Sequence, residues 1–286
     1  MSLWFSNGNE SRLYKLGIKN RSKKMKSSIV IGGSGMVGHS TMFSLGIGDH
    51  ISKHSRSVED SELTNFKYIF ICLPTPTTEG KQDLTLIEDY IKMIALDYKD
   101  NVIIIRSTVL PGTCKMLTEK YKVKIAHVPE FLTESTWEQD ATWPDIIVVG
   151  ADDEALRDEV AGIFKSRFKG AEYFLTDTVT SETIKYAINS FYALKVVYAN
   201  ELFDYAVDKG ANYETIKKAL YARKFVGKNH FDIWHKGGRG GGGKCLLKDL
   251  DAFANETTSD LLLTANRINK ELLINYPKNE TKIAQP

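Results

Sequence analysis

The sequence predicts an α/β fold: a doubly wound, mostly parallel sheet followed by an all-α part built on one long central helix. Short apolar, β-branched runs alternate with helical segments throughout residues 27–177, which is typical of a parallel sheet covered by helices. The pattern then changes. No proline or glycine interrupts residues 181–209, where apolar side chains recur at steps of three and four, so one helix of about 30 residues is expected.

Composition limits the function classes. Hydrophobic residues make up 42% of the chain and charged residues 26%, which is ordinary for a globular protein. The formal net charge of +2 gives no reason to expect nucleic acid as a partner. Three scattered cysteines favour a reducing, cytoplasmic setting over a disulfide framework. No apolar run of about 18 residues is present, so no membrane span is expected, and no metal site is predicted.

The chain divides into three predicted segments. Residues 1–26 are a basic extension without the apolar core of a secretory signal, so we expect a solvated tail, with a nucleic-acid role as the less favoured alternative. Residues 27–177 form the sheet domain. Residues 178–286 form the helical domain, which we expect to carry a dimer face and a cysteine loop.

The first strand leads directly into a glycine-rich turn. The apolar run 28–31 precedes Gly33-Ser34-Gly35-Met36-Val37-Gly38, and a helix begins at about Met36. This G-x-G-x-x-G pattern between strand and helix is typical of a Rossmann-like dinucleotide site, where backbone amides at the helix N-terminus meet a pyrophosphate. The predicted cofactor contacts here are Gly33, Gly35, Met36, Val37 and Gly38.

The acidic ribose contact of that pattern is missing. An Asp or Glu is expected about 20 residues further on, but the residues from Ile51 to Arg56 contain none. Arg56 with Ser55 could meet a 2′-phosphate, which would favour NADP. His54 or a backbone group could instead serve NAD. The residues alone leave both alternatives open.

Polar loops follow the next buried strands, at the sheet edge where doubly wound folds bind ligands. The apolar run 68–73 ends in Pro74-Thr75-Pro76-Thr77, and the run 101–105 ends in a loop that contains Ser107 and Thr108. The run 124–128 ends in Pro129-Glu130-Phe131-Leu132-Thr133-Glu134. Cys72, inside a strand, and Cys114, in the first turn of a helix, are expected to be structural. The remaining predicted elements are helices at 84–98, 151–168, 213–221 and 261–275, strands at 145–150 and 172–175, and a helical start at 249–253.

One glycine-rich stretch, residues 237–249, contains the third cysteine. Glycine loses much backbone entropy on folding, so a loop that brings bare backbone close to a ligand is one explanation. Cys245 would then be exposed, with its thiolate favoured by Lys244 and Lys248, as for a nucleophile. The alternative, on this stretch alone, is a flexible linker.

Together these motifs resemble, in order, those of the UDP-glucose/GDP-mannose 6-dehydrogenase family of nucleotide-sugar dehydrogenases. Besides the glycine turn, Cys72-Leu73-Pro74-Thr75-Pro76 is similar to V-P-T-P, and the Ser107–Thr113 loop to S-T-V-P-P-G-T. The Pro129–Glu134 loop is similar to P-E-F-L-x-E, and Lys185 to Asn189 gives K-x-x-x-N. The Gly241–Asp249 stretch resembles F-G-G-S-C-F-P-K-D.

The resemblance implies an NAD-dependent enzyme that oxidises the primary alcohol of a nucleotide sugar twice, to the uronate. Cys245 would form a thiohemiacetal and then a thioester, and a UDP-sugar and a homodimer through the long helix would be its partners. The implied catalytic residues are Cys245, Lys185, Asn189, Asp249, Thr108 and Glu134. Implied cofactor contacts also include Pro74, Thr75, Ser107, Thr108 and Glu134. Implied substrate contacts are Glu130, Phe131, Leu132, Lys185, Asn189, Gly242 and Lys248.

The sequence departs from the family pattern in several places. Gly241, Lys244 and Leu247 replace a phenylalanine, a small residue and a proline of the cysteine loop. The family's third domain, which holds the substrate nucleotide, is not found in this sequence. Two alternatives therefore stay open: a two-domain 3-hydroxyacid-type dehydrogenase, which needs no cysteine nucleophile, and a catalytically silent relative that binds a nucleotide.

Overall fold

The computed structural model describes residues 27–242 and 245–277, and the statements on structure below concern those residues. The predicted basic extension, residues 1–26, lies outside them, as do Gly243, Lys244 and residues 278–286. Within the described ranges, no helix is both long enough and apolar enough to cross a lipid bilayer.

Seven strands form one sheet and two form a hairpin in the described part of the chain. The strands are β1 (Ser28–Ile31), β2 (Asp49–Ile51), β3 (Tyr68–Ile71), β4 (Thr77–Thr78), β5 (Lys81–Gln82), β6 (Val102–Ile105), β7 (Lys124–His127), β8 (Ile146–Gly150) and β9 (Glu172–Thr176). The sheet order is β2-β1-β3-β6-β7-β8-β9, and β4 pairs with β5. Neighbouring strands of the sheet are parallel except β7 and β8, which are antiparallel.

The helices alternate with the strands up to β9 and then follow one another. They are α1 (Met36–Leu45), α2 (Thr85–Leu96), α3 (Thr113–Tyr121), α4 (Trp137–Thr142), α5 (Glu154–Lys165), α6 (Thr178–Asp208), α7 (Tyr213–Ala222), α8 (Leu246–Thr257) and α9 (Asp260–Asn275). A 3-10 helix also spans Asp60–Asn65. The predicted fold class, a mostly parallel sheet followed by helices around one long helix, is confirmed.

Both faces of the sheet are buried, because successive side chains of a strand point to opposite faces. In β1, Val30 belongs to a core with residues of α1 and α5, whereas Ile29 and Ile31 belong to a core with residues of α2 and α3. This two-sided burial explains why these strands are continuous apolar runs rather than alternating ones.

The long helix α6 starts directly after the sheet ends. Asp177 caps it, since its carboxylate accepts a hydrogen bond of 2.8 Å from the amide of Thr180. The helix has 31 residues and therefore extends roughly 46 Å. It packs against α8, α9, α3 and the β7–β8 part of the sheet, so it lies between the two halves of the fold. We retain the predicted division between residues 177 and 178 as a proposal.

The structure differs from the predicted elements in four places. The sequence patterns did not reveal α4, the 3-10 helix or the β4–β5 hairpin, which are all short. Helix α8 begins at Leu246 rather than at Asp249. Cys245 is therefore the N-cap residue of a helix.

Candidate active site

The turn after β1 is shaped by close contacts between backbones. Gly32 has φ +92°, and a Cβ on it would lie 2.3 Å from the carbonyl oxygen of Cys72. A Cβ on Gly38 would lie 2.2 Å from the carbonyl oxygen of Gly32. Glycine is therefore required at both positions. Gly32, with its positive φ, is the turn glycine here, although the motif count starts at Gly33, whose own Cβ position is crowded by Met42 and His50.

The N-terminus of α1 fits the pyrophosphate of a dinucleotide. Its N-cap is Gly35, and no side chain caps the helix there. The first-turn amides of Met36, Val37 and Gly38 have no partner within the helix, as in every α-helix, and they carry the positive end of the helix dipole. A Cβ on Gly35 would meet only the Gly32 carbonyl, at 3.5 Å, so bare backbone faces open space. These residues could hold an anion.

At the end of β2, the residues that could have met a 2′-phosphate are engaged within the protein. The hydroxyl of Ser55 lies 2.9 Å from Nε2 of His50. Arg56 lies 3.6 Å from the carboxylates of both Glu59 and Asp60. The sequence suggested that Ser55 and Arg56 could bind the 2′-phosphate of NADP. Their contacts within the protein make this role less favourable.

Hydrogen bonds join the polar loops that follow β3 and β6. Ser107 is buried, and its hydroxyl donates to the carbonyl of Leu73 at 2.7 Å. Thr75 is also buried, and its hydroxyl donates to the carbonyl of Thr108 at 2.7 Å. Pro74 lies between these contacts and is exposed. The structure thus brings together the predicted cofactor contacts of both loops.

Sequence reasoning missed Gln82 in the β4–β5 hairpin. Its Nε2 donates to the Thr108 carbonyl at 3.0 Å and to the Tyr186 hydroxyl at 2.9 Å, and its Oε1 accepts from the Leu110 amide at 3.1 Å. Gln82 therefore links the Thr108 loop to the long helix. No motif contains it, since its partners are distant in sequence.

Lys185 and Glu130 form a buried ion pair. Nζ of Lys185 donates to the backbone carbonyl of Glu130 at 2.5 Å and to its Oε1 at 3.3 Å. It also lies 5.3 Å from the centre of the Phe131 ring. Burial alone would raise the pKa of Glu130, but Lys185, the Leu132 amide at 2.6 Å and Arg106 outweigh it and hold the pKa below its ordinary value. Glu130 is therefore a carboxylate at neutral pH.

Asn189 and Lys248 both bind Asp249, whose side chain is buried. Nδ2 of Asn189 donates to Oδ2 of Asp249 at 2.6 Å, and Nζ of Lys248 donates to Oδ1 at 2.5 Å. Lys248 also lies 3.5 Å from the hydroxyl of Thr75. One network thus connects α6, the first turn of α8 and the loop after β3.

Cys245 lies at the N-terminus of α8, where its side chain is exposed and unpaired with another cysteine. The pKa of its thiol is nevertheless raised, first because the surrounding protein desolvates it, and further by the carboxylates of Glu130 and Asp249. The ammonium groups of Lys185 and Lys248 lower it without restoring the ordinary value. Lys248 thus favours the thiolate, as the sequence predicted, but desolvation and the two carboxylates outweigh it, so the net shift of the thiol pKa is upward. Lys244 lies outside the described residues.

Glu134 and Gly242, two predicted site residues, lie in different surroundings. Glu134 has a side chain that is 74% exposed, and its carboxylate lies 3.5 Å from Nζ of Lys236. Within the described part of the chain, no hydrogen bond connects it to the Asp249 network, so its role stays a prediction. Gly242, by contrast, is partly buried near the start of α8, and its amide donates to the Gly240 carbonyl at 3.0 Å.

Arg239 explains how the glycine-rich stretch is anchored. This buried side chain donates to Oδ1 of Asn200 and to the carboxylate of Asp204, both at 2.8 Å, and its guanidinium lies over Phe203 and Tyr276. The described part of this stretch is therefore attached to α6 through Arg239. The linker interpretation of this stretch does not fit the described residues.

A cavity of about 540 Å³ lies beside the network. Glu130, Phe131 and Leu132, the predicted substrate contacts after β7, line one part of it, and residues of α1, α4, α5, α6 and β8 line other parts. Arg106 also lines it, and among the described residues its buried Nε has no hydrogen-bond partner. Glu130 therefore borders both this cavity and the Lys185–Asp249 cluster.

The fold and the glycine turn define a dinucleotide-binding protein, and comparison with known proteins specifies the family. The UDP-glucose/GDP-mannose dehydrogenase family matches twice, with its NAD binding domain over residues 50–168 and its central domain over residues 179–273. The chain belongs to this family, as its motifs predicted. The match to the NAD binding domain confirms NAD as the cofactor. The matched region begins after the glycine turn.

Individual relatives agree with this assignment. The chain is 36% identical over 207 residues to a UDP-glucose 6-dehydrogenase of Rickettsia felis, an alignment that covers 70% of this chain and 45% of that protein. It is 25% identical to a UDP-glucose dehydrogenase structure from Pyrobaculum islandicum, with a TM-score of 0.74, over 89% of this chain and 70% of that one. The chain thus spans about half the length of the curated relatives it matches.

A third likeness concerns the fold alone. A 3-hydroxyisobutyrate dehydrogenase of Mycobacterium tuberculosis shares 12% identity and a TM-score of 0.65, over 88% of this chain and 95% of that one.

Proposed function

We propose that this chain oxidises the primary alcohol of a nucleotide sugar to the uronate with NAD⁺, and that UDP-glucose is the substrate class to test first. The observation that carries the proposal is the convergence of four charged side chains on one thiol. Glu130 is paired with Lys185, and Asp249 is bonded to Lys248 and Asn189; the four charges of these two pairs shift the pKa of the Cys245 thiol. The names of the aligned relatives support the substrate class.

Lys185 and Asn189 are suited to stabilise a developing oxyanion. An ammonium has three donors, so two bonds to Glu130 leave one for a substrate oxygen. The Asn189 amide has two donors, of which one is given to Asp249. Both side chains are buried on the same face of α6, so their donors are held in place before a substrate arrives.

NAD⁺, when bound, supplies the hydride acceptor for each oxidation. Cys245 supplies the nucleophile: its thiolate adds to the aldehyde that the first oxidation forms, which gives a thiohemiacetal. The second oxidation removes a hydride and a proton from the thiohemiacetal to give a thioester, and water hydrolyses this to the uronate and the free thiol. Because the thiol pKa is raised, the proton must leave as the bond forms, and Asp249 is the carboxylate placed to accept it or to activate water. In this proposal Thr108 and Glu134 order that water, and Gly242 contributes backbone near the substrate.

We also propose a homodimer formed through α6. Phe191, Tyr198 and Tyr205 recur every seven residues along this helix and are 56%, 56% and 61% exposed. An apolar stripe with that spacing faces one side of a helix and is typical of helix pairing. Cytoplasmic localisation stays a prediction, supported by three free cysteines.

A 3-hydroxyacid dehydrogenase activity is the second candidate. It is favoured by the likeness that spans nearly the whole of the Mycobacterium tuberculosis fold, although that likeness concerns architecture only. Such a reaction transfers one hydride and needs no thiol. Cys245 therefore discriminates between the two candidates.

The test is reduced-cofactor formation by the purified chain with NAD⁺ and a panel of UDP-sugars, GDP-sugars and 3-hydroxyacids. About two reduced cofactors per sugar, abolished in Cys245→Ala, would support the proposal. One reduced cofactor per 3-hydroxyacid, unaffected by the substitution, would favour the second candidate. Absence of turnover with every substrate, despite NAD⁺ binding, would overturn both for this chain alone.

A further inference from the structure

Glu182 is a buried carboxyl group that none of the motifs includes. It lies in the second turn of α6 and is 0% exposed. Its Oε2 accepts the amide of Gly112 at 2.6 Å, and its Oε1 accepts the amide of Cys114 at 2.7 Å. These amides belong to the N-terminus of α3, so a side chain of the long helix caps a helix of the sheet domain.

The local sequence explains why an external cap is needed. The N-cap of α3 is Gly112, which has φ +93° and no side chain, and the first turn of α3 has no acidic residue. A helix N-terminus leaves amides without partners and favours negative charge. Glu182 provides both the acceptors and the charge from 70 residues away.

The cap fixes one end of the loop that carries Thr108. Ser107 holds the other end through its bond to Leu73, and Gln82 holds the middle through Thr108 and Leu110. Glu182 lies one helical turn before Lys185, on the same helix as Asn189. Movement of the cap would therefore change where the Thr108 loop lies relative to the donors of α6.

We propose that Glu182 is a positioning residue, which couples α6 to the Ser107–Gly112 loop and so sets the place of Thr108 and Thr75 beside the Lys185–Asn189 donors. The effect of this coupling on catalysis rests on the proposed function. The capping itself does not, and it can be measured without turnover.

The charge state of Glu182 changes near neutral pH. Burial raises its pKa to about 7, although hydrogen bonds from the Cys114 thiol and from the two amides oppose this, and Asp152 raises it further. The groups that face it are the Cys114 thiol of α3, Asp152 after β8, and the Tyr186 hydroxyl of α6 itself. The ionised carboxylate accepts from both amides, whereas the protonated form has one good acceptor oxygen. The cap is therefore stronger above neutral pH.

Amide hydrogen exchange at single-residue resolution tests the coupling, because exchange reports opening of these two amides directly. In Glu182→Gln, one amide faces an NH₂ donor, so exchange at Gly112 or Cys114 should accelerate by about 10-fold or more after normalisation to intrinsic rates. Glu201→Gln, an exposed change on the same helix, should leave these amides unchanged. Equal protection in wild type and Glu182→Gln would overturn the proposal.

The wild-type protein provides a second test that does not depend on a variant folding. Measured relative to the β6 core amides, whose protection follows global stability, protection of the Gly112 and Cys114 amides should increase several-fold as pH rises through neutrality. Flat protection at Gly112 and Cys114 would contradict the proposal. If the chain turns over, Glu182→Gln should lower kcat more than it raises KM, and Glu182→Asp should restore part of the loss. If Glu182→Gln loses the protection as expected but the wild-type chain shows no turnover, the coupling is supported and the proposed function fails.

Discussion

Nδ2 of Asn189 donates a 2.6 Å hydrogen bond to Oδ2 of Asp249, and this bond joins the long helix to the helix that Cys245 begins. Both side chains are buried, so neither has full access to water as a substitute partner. A buried carboxylate that loses a donor bears much of its desolvation cost. The bond therefore stabilises the junction of α6 and α8 as well as orienting a donor.

Asn189→Ala should destabilise the protein by about 1–3 kcal/mol, because Asp249 would keep Lys248 but lose its second donor. The denaturant midpoint measures this effect. Asn275→Ala, at an exposed helical position, is the matched control and should shift the midpoint little. A midpoint shift no larger than that of the control would show that the Asn189–Asp249 bond contributes no stability.

Alkylation of Cys245 should require a higher pH than alkylation of an ordinary cysteine, because desolvation and, to a smaller extent, two carboxylates raise the pKa of its thiol. Glu130→Gln removes one of those charges and also frees Lys185 from its ion pair, so the midpoint of the pH–rate curve should move down. The rate of carbamidomethylation, followed by peptide mass spectrometry, gives both curves.

Cys72 and Cys114 are buried and should react only when the protein unfolds, so they report on the fold during the alkylation measurement. Glu201→Gln, which removes one negative charge at an exposed position of α6, is the control for Glu130→Gln. If the midpoint of the wild-type pH–rate curve lies at or below that of a free cysteine, the lysines lower the thiol pKa more than desolvation and the carboxylates raise it.

Much of the fold could be predicted because the information is local. Runs such as Val102–Ile105 are fully buried, and a strand enclosed on both faces must be apolar throughout. The boundaries of α6 were close to the predicted ones, because no proline or glycine interrupts it and Gly210 follows. The order of the motifs also predicted which loops meet at the carboxyl edge of the sheet.

The rest depended on contacts between segments far apart in the chain. Gln82 bonds to Tyr186 and Glu182 to Gly112, and neither pairing leaves a periodic signal in the sequence. The net shift of the Cys245 thiol pKa could not be predicted for the same reason. Its neighbouring lysines are visible in the sequence, whereas the approach of Glu130 is set by the fold.

The stability of the protein should depend on pH through Glu182. Its pKa rises from an ordinary 4.5 to about 7 on folding, so between these values the folded state holds more protons than the unfolded state. Stability should therefore fall as pH increases through this window, by up to about 3 kcal/mol, and then level off. Glu182→Gln cannot titrate, and its stability should decrease less over the same range.

The comparison concerns the change with pH and not the absolute level, because Glu182→Gln also weakens the cap. Denaturant unfolding at several pH values between 4.5 and 8 provides both curves. Parallel curves for wild type and variant would show that another group causes the pH dependence.

Two glycines of the turn after β1 should behave differently when replaced. Gly38 contacts the backbone of Gly32 so closely that a methyl group would push α1 away from the sheet. Gly35 has an extended conformation, with φ −80° and ψ 162°, and its Cβ position is open, so alanine fits the protein without strain. Only a ligand at the helix N-terminus would meet that methyl group.

Gly35→Ala should therefore retain the melting temperature but weaken NAD⁺ binding by about 10-fold or more, since bare backbone at this turn admits the pyrophosphate. Gly38→Ala should lose both stability and NAD⁺ binding. Gly162→Ala is the control: it lies within α5 with no heavy atom within 4 Å of its Cβ position, so it should stabilise the helix slightly and leave binding unchanged. Calorimetric titration with NAD⁺ measures affinity without turnover. Unaltered affinity in Gly35→Ala would show that the dinucleotide does not approach this turn, and the site would have to be sought elsewhere on the sheet edge.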